Sequence, residues 1–124
     1  MIQPGNSMRK SKILSVEQNL VRGFLHVPRI ASGDGLVLTH GAGSNCQAPL
    51  LVALGNTFFE SGITVLRCNL PFRQKRPHGP PPRGSAELDQ QGLREAVSYM
   101  RTKRPVSHPF GCSRYYQSRV MPFQ

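Results

Sequence analysis

Apolar positions along the chain fall into short clusters separated by turn-forming and basic segments. Ile13, Leu14 and Val16 suggest a short strand, and Val21, Phe24, Leu25 and Val27 a second, stopped by Pro28. The stretch from Ile30 to Gly35 is rich in Gly, Ser and Asp and reads as a turn. Gly35-Leu36-Val37-Leu38-Thr39 is a continuous apolar run, the pattern of a strand covered on both faces. It stops at the tight turn His40-Gly41-Ala42-Gly43. From Pro49 a helical pattern follows, with Leu50, Leu51, Leu54 and Phe58 along one side. Proline suits the first helical turn, where its missing N–H would have no partner, and Gly62 supplies a left-handed residue to stop the helix. Ile63 to Cys68 is then a second β-branched strand. Strand, helix and strand with short connections form a βαβ unit, whose strands should be parallel and whose crossover right-handed.

Asn69 to Gly84 holds five prolines together with Arg73, Lys75, Arg76 and Arg83, and is predicted to lack regular structure. Ser85 sits where an N-cap belongs, and Glu87 and Asp89 complement the positive helix start. Leu93, Ala96, Val97 and Met100 have the spacing of one buried helical face. Arg101, Lys103 and Arg104 suit the last turn, and Pro105 forbids continuation. A third parallel strand is due next. Residues 105–124 are not periodic, however, and Pro109 interrupts any strand from Val106 to Phe110. The chain thus divides into a basic, flexible N-terminus (1–12), a domain (13–104) and a divergent basic tail (105–124).

Composition narrows the function classes. Sixteen Lys+Arg against six Asp+Glu give a net charge of +10, which attracts phosphates. The charges are scattered, and no RNP, zinc-finger or helix-turn-helix pattern appears, so non-specific nucleic-acid affinity is the most they imply. Tyr115 and Tyr116 beside Arg114 and Arg119 read either as a base-stacking pair or as part of a solvated basic surface. Twelve glycines and eleven prolines exceed the usual combined share of about 12%, an excess that belongs in loops. Cys46, Cys68 and Cys112 show neither C-x-x-C nor zinc spacing, so metal sites and disulfides are not expected and free thiols in a reducing cytoplasm are. The nucleus is the other compartment that fits. No apolar run approaches the roughly 18–20 residues of a membrane span, and the polar opening from Met1 to Asn6 predicts no secretory leader. No cofactor is expected either. A dinucleotide loop on Gly41 and Gly43 would need a third glycine where Cys46 stands, and no acid ends the strand at Cys68. Pro77-His78-Gly79-Pro80 satisfies P-x-x-P, but the segment reads better as a long excursion between strand and helix than as an SH3 ligand.

Three pieces of local wording coincide with this order of elements: Gly23-Phe24-Leu25-His26-Val27-Pro28, then Leu36-Val37-Leu38-Thr39-His40-Gly41-Ala42-Gly43-Ser44-Asn45, then Ser61 through Phe72 with its R-x-N-x-P-F strand exit. With Gly92-Leu93-Arg94-Glu95-Ala96-Val97 they resemble the N-terminal part of an α/β-hydrolase. The kind is the small dienelactone-hydrolase-like one, which includes the testis-expressed and NSL-complex hydrolase-like domains. The resemblance spans about residues 13–104. It implies an α/β fold, a three-layer sandwich with a mainly parallel sheet, present here as an incomplete N-terminal half. It also implies hydrolysis of ester or related acyl bonds of a small substrate by a serine nucleophile.

In that frame the loop after the strand at 36–39 is an oxyanion loop. Ala42 would offer a backbone donor, Gly41 and Gly43 would permit the turn, and His40 would brace the loop rather than act as base. The plainer reading is a tight strand-to-helix turn. The nucleophile is due at a G-x-S-x-G turn, where Gly111-Cys112-Ser113-Arg114-Tyr115 stands, so Ser113 is either a remnant nucleophile or an ordinary loop serine. Cys112 beside Arg114 is either a thiolate or a surface cysteine. The family order is Ser, Asp, His, yet no residue after Ser113 is Asp, Glu or His. A substitute triad from His26, His40, His78 or His108 with Asp89 or Glu95 has no support in the spacing. The expectation is therefore a truncated, frame-shifted or alternatively spliced chain whose native sequence ends near Arg104, weak or inactive. The strand at 36–39 would be an open edge prone to self-association. The alternative is a non-catalytic hydrolase-like module for a protein partner.

Overall fold

The computed structural model describes residues 11–103 and the backbone of 115–119. Its elements are β1 (Lys12–Gln18), β2 (Val21–Val27), β3 (Gly35–Thr39), α1 (Pro49–Glu60), β4 (Thr64–Asn69), α2 (Pro71–Lys75), α3 (Ala86–Arg101) and β5 (Tyr115–Arg119). They build one sheet in the order β1-β2-β4-β3-β5. The fold class is α/β.

The sheet is mixed, which corrects the mainly parallel arrangement expected. β1 and β2 are joined by a two-residue turn in which Asn19 takes the left-handed φ of 53°, and so short a turn admits only antiparallel neighbours. β2 also runs antiparallel to β4. The βαβ unit follows its rule: β3 and β4 are parallel, with Leu36 opposite Val65.

Two further corrections concern segments predicted to be irregular. Pro71 to Lys75 forms a short helix, with Pro71 in its first turn and Pro71, Phe72 and Arg73 buried. The Phe72 N–H, free at a helix start, is taken by Asp89 Oδ1 at 3.1 Å. Asp89, in the first turn of α3 with Glu87 as expected, thus serves α2 as well, and Ser85 makes no side-chain cap on α3. The other correction is β5, a strand beyond Pro105, which pairs parallel to β3 with Gly35 opposite Tyr115 and Thr39 opposite Arg119. Backbone pairing needs an extended segment, not a periodic one. β3 is consequently flanked on both sides, by β4 and β5, and is not an open edge.

Strand alternation sends side chains to two faces. Val16, Val21, Leu25, Val37, Leu66 and Cys68 pack with Ala96 and Met100 of α3. Leu36, Leu38 and Val65 pack with Leu51 of α1 on the other face. Two glycines are dictated by neighbours. A Cβ at Gly23 would overlap the Arg67 carbonyl oxygen and stand 2.7 Å from Cys68 Cα, so β2 and β4 approach closely only because it is absent. Gly62, at φ 93°, ends α1 as expected, its N–H and that of Ile63 donating to Phe59 and Phe58 carbonyls. No helix among the described residues is long and apolar enough to cross a membrane.

Candidate functional site: the loop after β3

The loop at 40–46 leaves the C-terminal end of β3, and nearly everything that holds it comes from residues 67–73. His40 is buried, its ring edge against Phe72. The Leu70 N–H donates to His40 Nε2 at 3.0 Å, so that nitrogen carries the lone pair and Nδ1 carries the proton, donated to the Gly41 carbonyl at 2.8 Å. Burial lowers the pKa of His40, and the Arg73 cation adds to the effect. Both ring nitrogens are engaged, and the imidazole is a neutral strut between loop and strand exit.

Arg73 is buried and donates to four carbonyls: Ala42 (2.6 Å), Ser44 (2.8 Å), Arg76 (2.8 Å) and Gly79 (2.8 Å). It therefore joins the loop to the proline-rich excursion. Arg67, buried on β4, donates to the Cys46 carbonyl at 2.6 Å and to His26 Nε2 at 2.9 Å. Asn69 Oδ1 accepts the Cys46 N–H at 2.8 Å. Cys46 is thus gripped at both backbone groups by two residues on one face of one strand.

These anchors decide where the loop amides point. The Gly41 carbonyl is held by His40 Nδ1 and by the Ser44 N–H at 3.2 Å, and the Ala42 carbonyl by Arg73. In a trans peptide the N–H lies opposite the C=O, so the Ala42 and Gly43 N–H groups point away from the anchors. Neither has an acceptor among the described residues. Gly43 is not required for the turn, since its φ is not positive and an added Cβ would meet nothing. Gly41 and Ala42 line a cleft of about 170 Å³ with His40, Leu70, Phe72 and Leu93, and Asp89 and Gln90 stand at its polar side.

The other titratable candidates lie elsewhere. His26 is fully buried between β2 and α1, its ring edge against Phe59. Burial, then the Arg67 charge, lowers its pKa to about 4. Because Nε2 accepts from Arg67, its proton sits on Nδ1, the one buried side-chain polar atom among the described residues with no partner. Glu95 accepts the Leu20 N–H at 3.1 Å and bonds Gln91, with no histidine among its partners. Burial raises the Cys46 thiol, and raises Cys68 to about 12, so neither offers a thiolate near neutrality. No cluster of metal-ligating side chains occurs among the described residues. Ser113, Cys112 and His108 lie outside them.

Arg67, Asn69 and Arg73 are the loop-holding residues that sequence reasoning left without a role. The signal was an arginine in the middle of an apolar strand, where a charge survives burial only with hydrogen-bond partners.

No family model and no curated protein matches the chain. Among solved structures, the fold is similar to that of a dienelactone hydrolase from Anabaena variabilis, at a TM-score of 0.58 and 16% identity over 87% of this chain. The chain spans about half of that hydrolase, 52% of its length. At this identity the likeness is one of fold.

Proposed function

We propose that the chain carries the acyl-oxygen-binding half of an α/β-hydrolase-type site, set in an incomplete three-layer sandwich and directed at small ester or related acyl substrates. By itself it turns them over weakly or not at all. One observation carries this reading: among the described residues the Ala42 and Gly43 amides stand without acceptors, on a loop anchored from behind. That loop sits at the C-terminal ends of two parallel strands, where open α/β sheets bind ligands.

When a nucleophile adds to a carbonyl, negative charge develops on the oxygen. Donors already in place stabilise it without reorganising. The Arg73 guanidinium on the Ala42 carbonyl polarises the same peptide that presents the Gly43 N–H, which strengthens that donor. The apolar walls at Leu70, Phe72 and Leu93 suit the hydrocarbon part of a small acyl group.

Among the described residues no nucleophile and base meet at the cleft. His40 spends one nitrogen on the loop and the other on the Leu70 amide of the strand exit, and His26 is sealed in the core. A nucleophile turn follows its strand, whereas Ser113 precedes β5 by two positions. A donor pocket without nucleophile and base gives only slight acceleration. The test is hydrolysis of p-nitrophenyl acetate by the chain and by Ser113→Ala. Equal rates close to background are expected, and a rate well above background that Ser113→Ala abolishes overturns the inactivity.

A further inference from the structure

Beside the cleft, on the other side of Phe72 and of the Pro81–Pro82 wall, lies a second and larger depression of about 380 Å³. Its apolar part is Pro71, Phe72, Pro82 and Leu88, and its rim is Lys75, Arg76 and Arg83. No acidic side chain lines it. We propose that this groove docks an acidic protein segment, an extended stretch of Asp and Glu that seats one aliphatic side chain between Pro82 and Leu88.

Three features argue for that occupant. First, the cations are available. Lys75 and Arg83 are exposed and have no partner among the described residues, and the ion pair described there is the distant Arg22–Glu17. Second, the groove is built rather than loose. Arg73 holds the Arg76 and Gly79 carbonyls, and Arg76 Nη1 donates to the Pro80 carbonyl at 2.6 Å, so the proline-rich wall is fixed before a ligand arrives. Third, the chemistry discriminates among polyanions. Phe72 is buried and no other aromatic residue lines the groove, so nucleic-acid bases have no ring to stack upon. Leu88, 37% exposed at the groove, instead offers contact to an aliphatic side chain.

The rim supplies charge complementarity and register, and the apolar floor supplies the desolvated anchor. The experiment is fluorescence anisotropy on the full chain with a labelled peptide of glutamates flanking one leucine. A serine-for-leucine version and a single-stranded DNA of equal charge serve as competitors. Saturable binding is expected, weaker for the serine peptide and for the DNA. Lys75→Glu with Arg83→Glu should weaken it at least about tenfold, and Leu88→Ser should weaken it too. Lys12→Glu with Arg101→Glu, two exposed cations elsewhere, should change it less than about twofold. Absence of binding, equal affinity for the DNA, or equal losses from the two charge reversals would each overturn the proposal. The reversed side chains make no bond among the described residues, and unchanged thermal melts check that the variants keep the fold.

Discussion

Leu66 and Arg67 are neighbours on β4 that face opposite sides of the sheet. Leu66 enters an apolar layer with Val37, Leu25, Ala96 and Met100. Arg67 enters a layer that is apolar near α1 but carries a polar line toward the strand ends, from buried His26 and Arg67 to half-buried Asn69 and the Cys46 backbone. The first face does what burial ordinarily does, removing hydrocarbon from water. The second accepts the desolvation of a guanidinium, and what it gains is position: the loop at 40–46 is held at an atom-by-atom level that dispersion contacts alone would not fix. Both faces of the sheet therefore stabilise, and one of them also fixes the loop after β3.

The substitution expected to do most damage strikes both faces together. Gly23→Ala puts a methyl group against the Arg67 carbonyl and Cys68 Cα and forces β2 away from β4. A loss of about 3 kcal/mol or more is expected in denaturant titration, and a loss under about 1 kcal/mol would remove the close-approach argument.

The comparison is sharpened by the adjacent pair. Leu66→Ala should cost about 2–5 kcal/mol as a buried cavity. Arg67→Ala should cost about 2–4 kcal/mol because it strands His26 Nε2 and the Cys46 carbonyl. Hydrogen exchange separates them. Only Arg67→Ala should speed exchange of the Cys46 amide beyond what the global loss explains. Identical exchange patterns would mean that the two faces share one role.

A pH dependence belongs to the buried imidazoles, first of all to His26 on the polar face. His26 titrates at about 4 when folded and near 6.5 when unfolded. Between those values the unfolded chain binds a proton that the folded chain refuses. Stability is therefore complete above about pH 6.5 and declines as the pH falls toward 4, by up to about 3 kcal/mol. His40 is shifted in the same direction and adds to the slope. Urea midpoints should rise with pH from 5 to about 6.5 and level off above it, and rise less steeply in Arg67→Met, which removes a nearby charge. A flat profile contradicts the buried neutral imidazole.

How far could the residues alone have revealed this? The βαβ unit was legible because β3 and β4 are continuous apolar runs joined by a helix with proline at its start and Gly62 at its end. The sheet's mixed character was not, since a strand's direction depends on how the chain returns to it rather than on its own side chains. Nor was β5, where the paired edge of β3 supplies what periodicity does not. At the loop after β3, His40 to Gly43 were readable as a turn. Their clamps were not, because the carbonyls that Arg67 and Arg73 hold lie 21 and 31 residues away in sequence. Gly43 was over-read. Gly43→Ala should change stability by no more than about 0.5 kcal/mol, the smallest effect here, and a larger loss would show that the loop needs glycine after all.

The amides of Ala42 and Gly43 can be interrogated directly by amide NMR of the labelled chain during titration with methyl butylphosphonate, a tetrahedral monoanion. The account predicts saturable downfield shifts at these two amide protons, and their loss in Arg73→Lys, whose ammonium cannot hold the loop carbonyls in the same fork. Unmoved Ala42 and Gly43 signals at concentrations that shift amides elsewhere would contradict it.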